Sequence, residues 1–164
     1  MQKAELQTAR LLLRPFRPTD VDDALAYRND REFARYLPHI PQPFTRRDAE
    51  AFVRLNIEEP WDELPTFAVV LDDHVIGTVN LEIDVAKRRA MIGYAIARAH
   101  WGRGIATEAA VAVIEWACAT HDLVEIWAST QADNVGSQRV MEKLGMTRDS
   151  DVDDRGQVVY RLRR

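Results

Sequence analysis

Two stretches of this 164-residue chain combine residue types and spacings that can do chemistry. The first is Trp101-Gly-Arg-Gly104, which leads into Ile105-Ala-Thr107. Gly102 and Gly104 lack a Cβ, so a ligand can approach the backbone closely and left-handed φ is open to them. Before them, Ile92, Tyr94 and Ile96 alternate with small residues at the period of a strand; after them, Ile105 to Ala119 reads as a helix. A strand feeding a glycine turn feeding a helix start gathers several unpaired N–H groups at one point. That point carries partial positive charge and favours phosphate. The stretch reads as a diphosphate cradle; the alternative is a tight turn with no ligand. The second stretch, Asn134-x-x-Ser137 at the start of another helix, favours the cradle.

Around these stretches the sequence spells out a β-α-α-β-β-β-α-β-α-β-β order. Ala9 to Arg14 is a first strand, Thr19 or Asp20 caps a helix through Asn29, and Asp30 to Leu37 is read as a second short helix. The prolines of Pro38-His-Ile-Pro-Gln-Pro43 exclude regular structure. Thr45-x-x-Asp48 is a capping box with Asp in the Glu place, opening a helix with Ala49, Phe52, Val53 and Ile57 on one face. Glu58 to Glu63 is an acidic loop. Strands follow at 66–71 and 75–83 around Asp72-Asp-His74, then at 90–97. After the long helix come a strand at 124–130, a helix at 134–144 stopped by Gly145, and strands at 146–149 and 157–162. A meander followed by strand–helix–strand predicts an α/β (α+β mixed) fold. Its mostly antiparallel sheet has about seven strands, with helices on both faces.

Composition narrows the classes. The length suits one domain, residues 1–164. Hydrophobic content of 46% and charged content of 29% are ordinary globular values. A net charge of −4 argues against a nucleic-acid binder. No apolar run approaches the ~18 residues of a membrane span, and Met1-Gln-Lys-Ala-Glu-Leu6 is too polar for a signal peptide. The one cysteine, Cys118, cannot form an internal disulfide, which fits the cytoplasm. The four histidines show no metal-ligand spacing, so no metal is expected.

Taken together, Ile92-Gly-Tyr94, Trp101-Gly-x-Gly-x-Ala-Thr-Glu-Ala109, Asn134-x-x-Ser137 and Met141-Glu-Lys-Leu-Gly-Met146 resemble the GCN5-related N-acetyltransferase (GNAT) superfamily. With Thr8-x-Arg-Leu-x-Leu-Arg14, they are similar to its RimJ/RimL-type branch, which acetylates ribosomal-protein N-termini. The resemblance implies the GNAT fold and acetyl-CoA as cosubstrate. Backbone groups of Ile96, Ala97 and Arg98 would pair with the pantetheine arm. The segment Trp101, Gly102, Arg103, Gly104, Ile105, Ala106 and Thr107 would hold the pyrophosphate. Asn134 would sit beside the pantetheine, and Ser137 near the thioester sulfur. There are departures: Trp101 stands where relatives have Gln or Arg, Met91 where many have Glu, and no tyrosine follows Ser137.

The implied reaction moves an acetyl group from the thioester directly to a primary amine, on a small molecule or a peptide N-terminus. Ser137 is the expected hydrogen-bond donor to the departing thiolate, against a reading as an ordinary helix-start serine. Glu82, which shares a strand face with Thr78, Asn80 and Asp84, is the base candidate, against a reading as a solvated side chain. The resemblance leaves room for a homodimer. The rival is a catalytically silent acyl-CoA sensor on the same fold. A dinucleotide-binding oxidoreductase fits poorly, because Gly102-x-Gly104-x-x-Thr107 lacks the third glycine.

Overall fold

The computed structural model describes residues 1–149 and 151–164. Its strands are β1 (Leu6–Gln7), β2 (Leu12–Arg14), β3 (Thr66–Leu71), β4 (His74–Asp84), β5 (Arg89–Ile96), β6 (Glu125–Gln131), β7 (Thr147–Arg148) and β8 (Gln157–Arg163). They form one sheet in the order β1-β2-β3-β4-β5-β6-β8-β7. Every neighbouring pair is antiparallel except β5 and β6. The helices are α1 (Val21–Arg28), α2 (Arg46–Glu58), α3 (Ile105–His121) and α4 (Val135–Lys143).

The expected GNAT-like order is present, with two local differences. The first strand is a hairpin: Leu6 faces Leu13, and Thr8 N–H donates to Leu11 O at 2.9 Å. This is why eight strands stand where about seven were expected. The helix expected at 30–37 is a series of turns. Its bonds mix two spacings, Ala34 N–H to Asp30 O (3.0 Å) and Leu37 N–H to Ala34 O (2.8 Å). Pro38 disfavours helical ψ at Leu37, so the turns tighten instead of propagating. Elsewhere local chemistry acts as expected. Thr45 and Asp48 cap α2 reciprocally, and Gly145 ends α4 at φ 86°.

Register assigns the two faces of the sheet. Phe67 opposes Val79, and Val79 opposes Tyr94, so these three share a face with Leu81, Ile92 and Ile96. Helix α3 covers this face: Trp116 meets Phe67 edge-on, centroids 5.2 Å apart. Such a pair adds about 0.5–1.5 kcal/mol beyond its buried area. Helix α4 lies on the same side, since the Tyr94 hydroxyl reaches Ser137. Thr66, Ala68, Thr78 and Asn80 point the other way, as does Arg14. Buried Arg14 donates to both oxygens of buried Asp20, at 2.8 and 2.9 Å, and so fastens the start of α1 to that second face. Among the described residues no helix is long and apolar enough to cross a membrane.

Candidate active site

Strands β5 and β6 are paired for only three positions, Arg89↔Glu125, Ala90↔Ile126 and Met91↔Trp127. Beyond Met91 each strand follows its outer neighbour, β5 along β4 and β6 along β8, so a wedge opens between them. The Ala97 amide donates to Ile76 O at 2.7 Å. Backbone groups alternate sides along an antiparallel ladder, so those of Tyr94 and Ile96 turn into the wedge. Ile96 O accepts the Trp101 indole N–H at 2.6 Å. An open strand edge of this kind can take an extended partner. Ala97, expected to offer backbone pairing there, is instead tied to β4.

At the end of β5 lies the glycine loop. Gly102 and Gly104 both take left-handed φ, 74° and 73°. Trp101 is half exposed, yet its indole folds the loop back onto the end of β5. Glu108 N–H makes the first helical bond of α3, to Gly104 O at 3.0 Å. The amides of Ile105, Ala106 and Thr107 therefore have no helical acceptor, and no side chain caps them. The loop is clamped from the N-terminal hairpin. Glu108 accepts from Thr8 Oγ1 (2.6 Å), Arg10 N–H (3.0 Å) and Arg10 Nε (2.8 Å), while Arg10 Nη2 donates to Arg103 O at 2.9 Å. Burial pushes the Glu108 carboxyl up, but these hydrogen bonds outweigh it and hold it below the usual carboxylate range. Arg98 pairs with Asp30 at 2.9 Å and Arg103 meets His100 at 2.9 Å, so both side chains are engaged within the protein.

The α4 N-terminus faces the wedge from the other side. Asn134 is its cap, accepting from Ser137 N–H (3.2 Å) and donating to Thr130 Oγ1 (3.0 Å). The Tyr94 hydroxyl donates to Ser137 O at 2.9 Å and lies 3.0 Å from Ser137 Oγ. Tyr94 stands in the Ile92-Gly-Tyr94 motif, but the sequence gives it no partner, because it is 43 positions from Ser137. Its ordinary pKa of 10 is pushed up to about 12 by burial, with only partial relief from Ser137. The phenol therefore keeps its proton at neutral pH.

The wedge is the waist of a cavity of about 980 Å³. Trp101, Gly102, Gly104 to Thr107, Asn134 and Ser137 line it on the α3/α4 side; Arg28, Phe33, His39, Phe52, Asn56 and Glu59 line it on the α1/α2 side. It thus passes through the sheet. Glu82 does not line it. Its strand partner Met91 is the last β5 residue still zipped to β6, so Glu82 lies outside the wedge. It is exposed and borders a smaller hollow with Glu63, Asp84, Arg89 and Trp127. Glu82 does share the face of Thr78 and Asn80, which line the cavity, but it lies one residue beyond the opening, which starts at the Leu81–Ile92 pair.

One lining residue stands apart. Arg28 is only 7% exposed, and its guanidinium sits 3.7 Å from the Phe52 ring centroid and 5.3 Å from that of Phe44. Its Nε is buried without a hydrogen-bond partner. Glu32 and Glu59 line the same cavity, and neither pairs with it. Burial pushes the Arg28 pKa down, against the raising influence of neighbouring Tyr27. Cation–π contacts contribute about 2 kcal/mol when desolvated, whereas burying a guanidinium costs several. The aromatic rings do not offset the charge.

Comparison with known proteins agrees with this geometry. Residues 10–147 match the family model described as acetyltransferase (GNAT) domain. The uncharacterised N-acetyltransferase YnaD of Bacillus subtilis (strain 168) is 33% identical, over 88% of this chain and 83% of its own. The crystal structure of an acetyltransferase (GNAT family) from Bacillus anthracis superposes with a TM-score of 0.85 at 25% identity, over 98% of both chains. RimL, a ribosomal α-N-protein acetyltransferase in complex with coenzyme A, shares the fold with a TM-score of 0.82 at 15% identity, over 98% of both chains.

Proposed function

The chain belongs to the acetyltransferase (GNAT) family and is an acetyl-transferring enzyme, and on that premise we propose that it moves an acetyl group from acetyl-CoA directly onto a primary amine of a small molecule or a flexible peptide N-terminus. The observation that carries this reading is one cavity joining an uncapped helix start, an open strand edge and a hydroxyl pair. The amides of Ile105, Ala106 and Thr107 suit a pyrophosphate. The Tyr94 and Ile96 edge suits the amide-bearing pantetheine arm. Asn134 works through Ser137, by fixing the backbone that presents it.

When bound, acetyl-CoA supplies the thioester carbonyl: the amine nitrogen forms the new C–N bond, the C–S bond breaks, the nitrogen gives up a proton and the sulfur gains one. With the Tyr94 O–H donating to Ser137 O, the 3.0 Å contact between the two hydroxyls is one that the Ser137 hydroxyl donates to Tyr94, and rotation of that hydroxyl turns the same proton to the developing thiolate. This pair also weakens the ground for a silent sensor, since a tyrosine arrives from β5 where none follows Ser137 in α4. An α-amine has an ordinary pKa near 8, so about a tenth is neutral at pH 7, and water can take its proton. Glu82, outside the wedge, has no part in this step.

The test is a mass-spectrometric screen of amines and peptides with acetyl-CoA. Acetylation at primary amines is expected, with kcat/KM rising with pH to a plateau at the pKa of the acceptor amine. Acetylation of hydroxyls alone overturns the amine reading and leaves the acetyltransferase family untouched.

A further inference from the structure

Arg28 marks the part of the cavity remote from the glycine loop. It lies at the C-terminus of α1, is more than nine-tenths buried, and has no carboxylate partner among the described residues. Its carbonyl is held by Gln42 Nε2 at 2.8 Å, and its guanidinium is framed by Phe33, Phe44 and Phe52, so the group is fixed in place. His39, also on the cavity wall, is pushed below its ordinary pKa by burial and by Arg28 itself, so it adds no second positive charge. A planar cation held rigidly beside an open, largely apolar space lacks one thing, a planar anion of matching fork geometry.

We propose that the acceptor carries a carboxylate in addition to its amine, and that Arg28 anchors this carboxylate. The proposal rests on the amine-acetylation reading above and narrows its substrate class to amino acids and acidic peptides. Phe33 and Phe52 line the cavity beside Arg28 and offer apolar surface to the part of the acceptor that joins the two groups. Arg28 thereby sets which amine presents itself at the wedge, and it takes no part in the bond changes.

The experiment compares amines that carry a carboxylate with their carboxamides, each rate expressed per neutral amine because the carboxylate also raises the amine pKa. One arm uses glycine, β-alanine and γ-aminobutyrate against their amides. The other uses C-terminally amidated peptides beginning Ala-Glu against Ala-Gln. The carboxylate member of at least one arm is expected to show a kcat/KM at least about tenfold higher, and the arm that responds identifies the source. In Arg28→Met, and in Arg28→Gln as a second neutral variant, that ratio falls to within about twofold of one. Arg28→Lys keeps part of it, having charge without the fork. Relief of an unpaired buried charge also raises the unfolding temperature of Arg28→Met by about 2 °C or more. The anchor is overturned by equal rates for carboxylate and carboxamide in the wild-type enzyme, or by a preference that survives neutralisation of Arg28. If no amine is acetylated, the acetylation reading fails on its own, and calorimetric titration with glutarate decides the anchor alone. Uptake by the wild type that Arg28→Met abolishes supports it, and equal or absent uptake overturns it.

Discussion

At the scale of single residues, the proposed reaction draws on a hydroxyl pair that two distant segments bring within 3.0 Å. Hydrogen bonds to charged groups contribute about 1.5–3 kcal/mol, and the thiolate charge exists only as the C–S bond breaks. Ser137→Ala is therefore expected to lower kcat by about tenfold or more while the KM for acetyl-CoA changes little. Tyr94→Phe gives a smaller loss, and the double variant falls short of the product of the two, because both act through one hydrogen bond. Steady-state kinetics on the three variants checks this; a Ser137→Ala kcat within twofold of wild type returns Ser137 to an ordinary helix-start role. Because burial holds Tyr94 near pKa 12, its ionisation adds no falling limb to the rate profile below about pH 11. Ser137 stands out as a candidate because its motif is local. The pairing of Tyr94 with it does not, since that contact is made by how β5 and α4 fold together and leaves no trace in spacing. Arg28 carries no motif that marks it in the sequence. Its lack of a partner is a property of the folded surroundings.

At the scale of elements, the glycine loop and the start of α1 are held by opposite means. The loop depends on backbone shape. At φ 73°, any side chain at position 104 is strained, and its Cβ would stand 3.7 Å from the Arg10 guanidinium. Gly104→Ala is expected to weaken coenzyme A binding at least tenfold and to cost about 1–2 kcal/mol of stability. Calorimetric titration with thermal unfolding separates the two effects, and unchanged affinity removes the loop from the binding site. The start of α1 depends on charge pairing. Asp20→Asn leaves the buried Arg14 guanidinium without its carboxylate, a change that costs about 3–5 kcal/mol. Denaturant unfolding reads that loss; a change below about 1 kcal/mol means the pair contributes little. The cap at Thr45 and Asp48 and the turn at Asp72-Asp-His74 were visible in sequence because their bonds close within a few residues; the equally local Thr8–Leu11 turn was not, since it carries no glycine or proline signal. The segment 30–37 was misread because periodicity cannot say whether the first turn propagates; Pro38 and the side-chain cap of Asp30 on Glu32 N–H decide that it does not.

At the scale of the whole molecule, the succession of strands and helices along the chain was legible from apolar patterns apart from the N-terminal hairpin, whereas the place of β8 between β6 and β7 and the parting of β5 from β6 were not. Nothing in the sequence of β5 or β6 announces that they part after Met91; the parting follows from each strand's longer partnership with its other neighbour. The aperture so formed is bordered at one end by exposed Trp101, Gly102 and Arg139 and at the other by exposed Glu32 and His39. A passage with two ends has a consequence for turnover. Donor and acceptor need not queue at one entrance, and neither has to leave before the other arrives. Initial-rate measurements with both substrates varied are expected to give intersecting double-reciprocal lines, with coenzyme A inhibiting competitively against acetyl-CoA and not against the amine. Parallel lines, the signature of an acetylated enzyme released between two half-reactions, contradict this. On the proposed reading the opening in the sheet is a crossroads, with traffic from both ends at once.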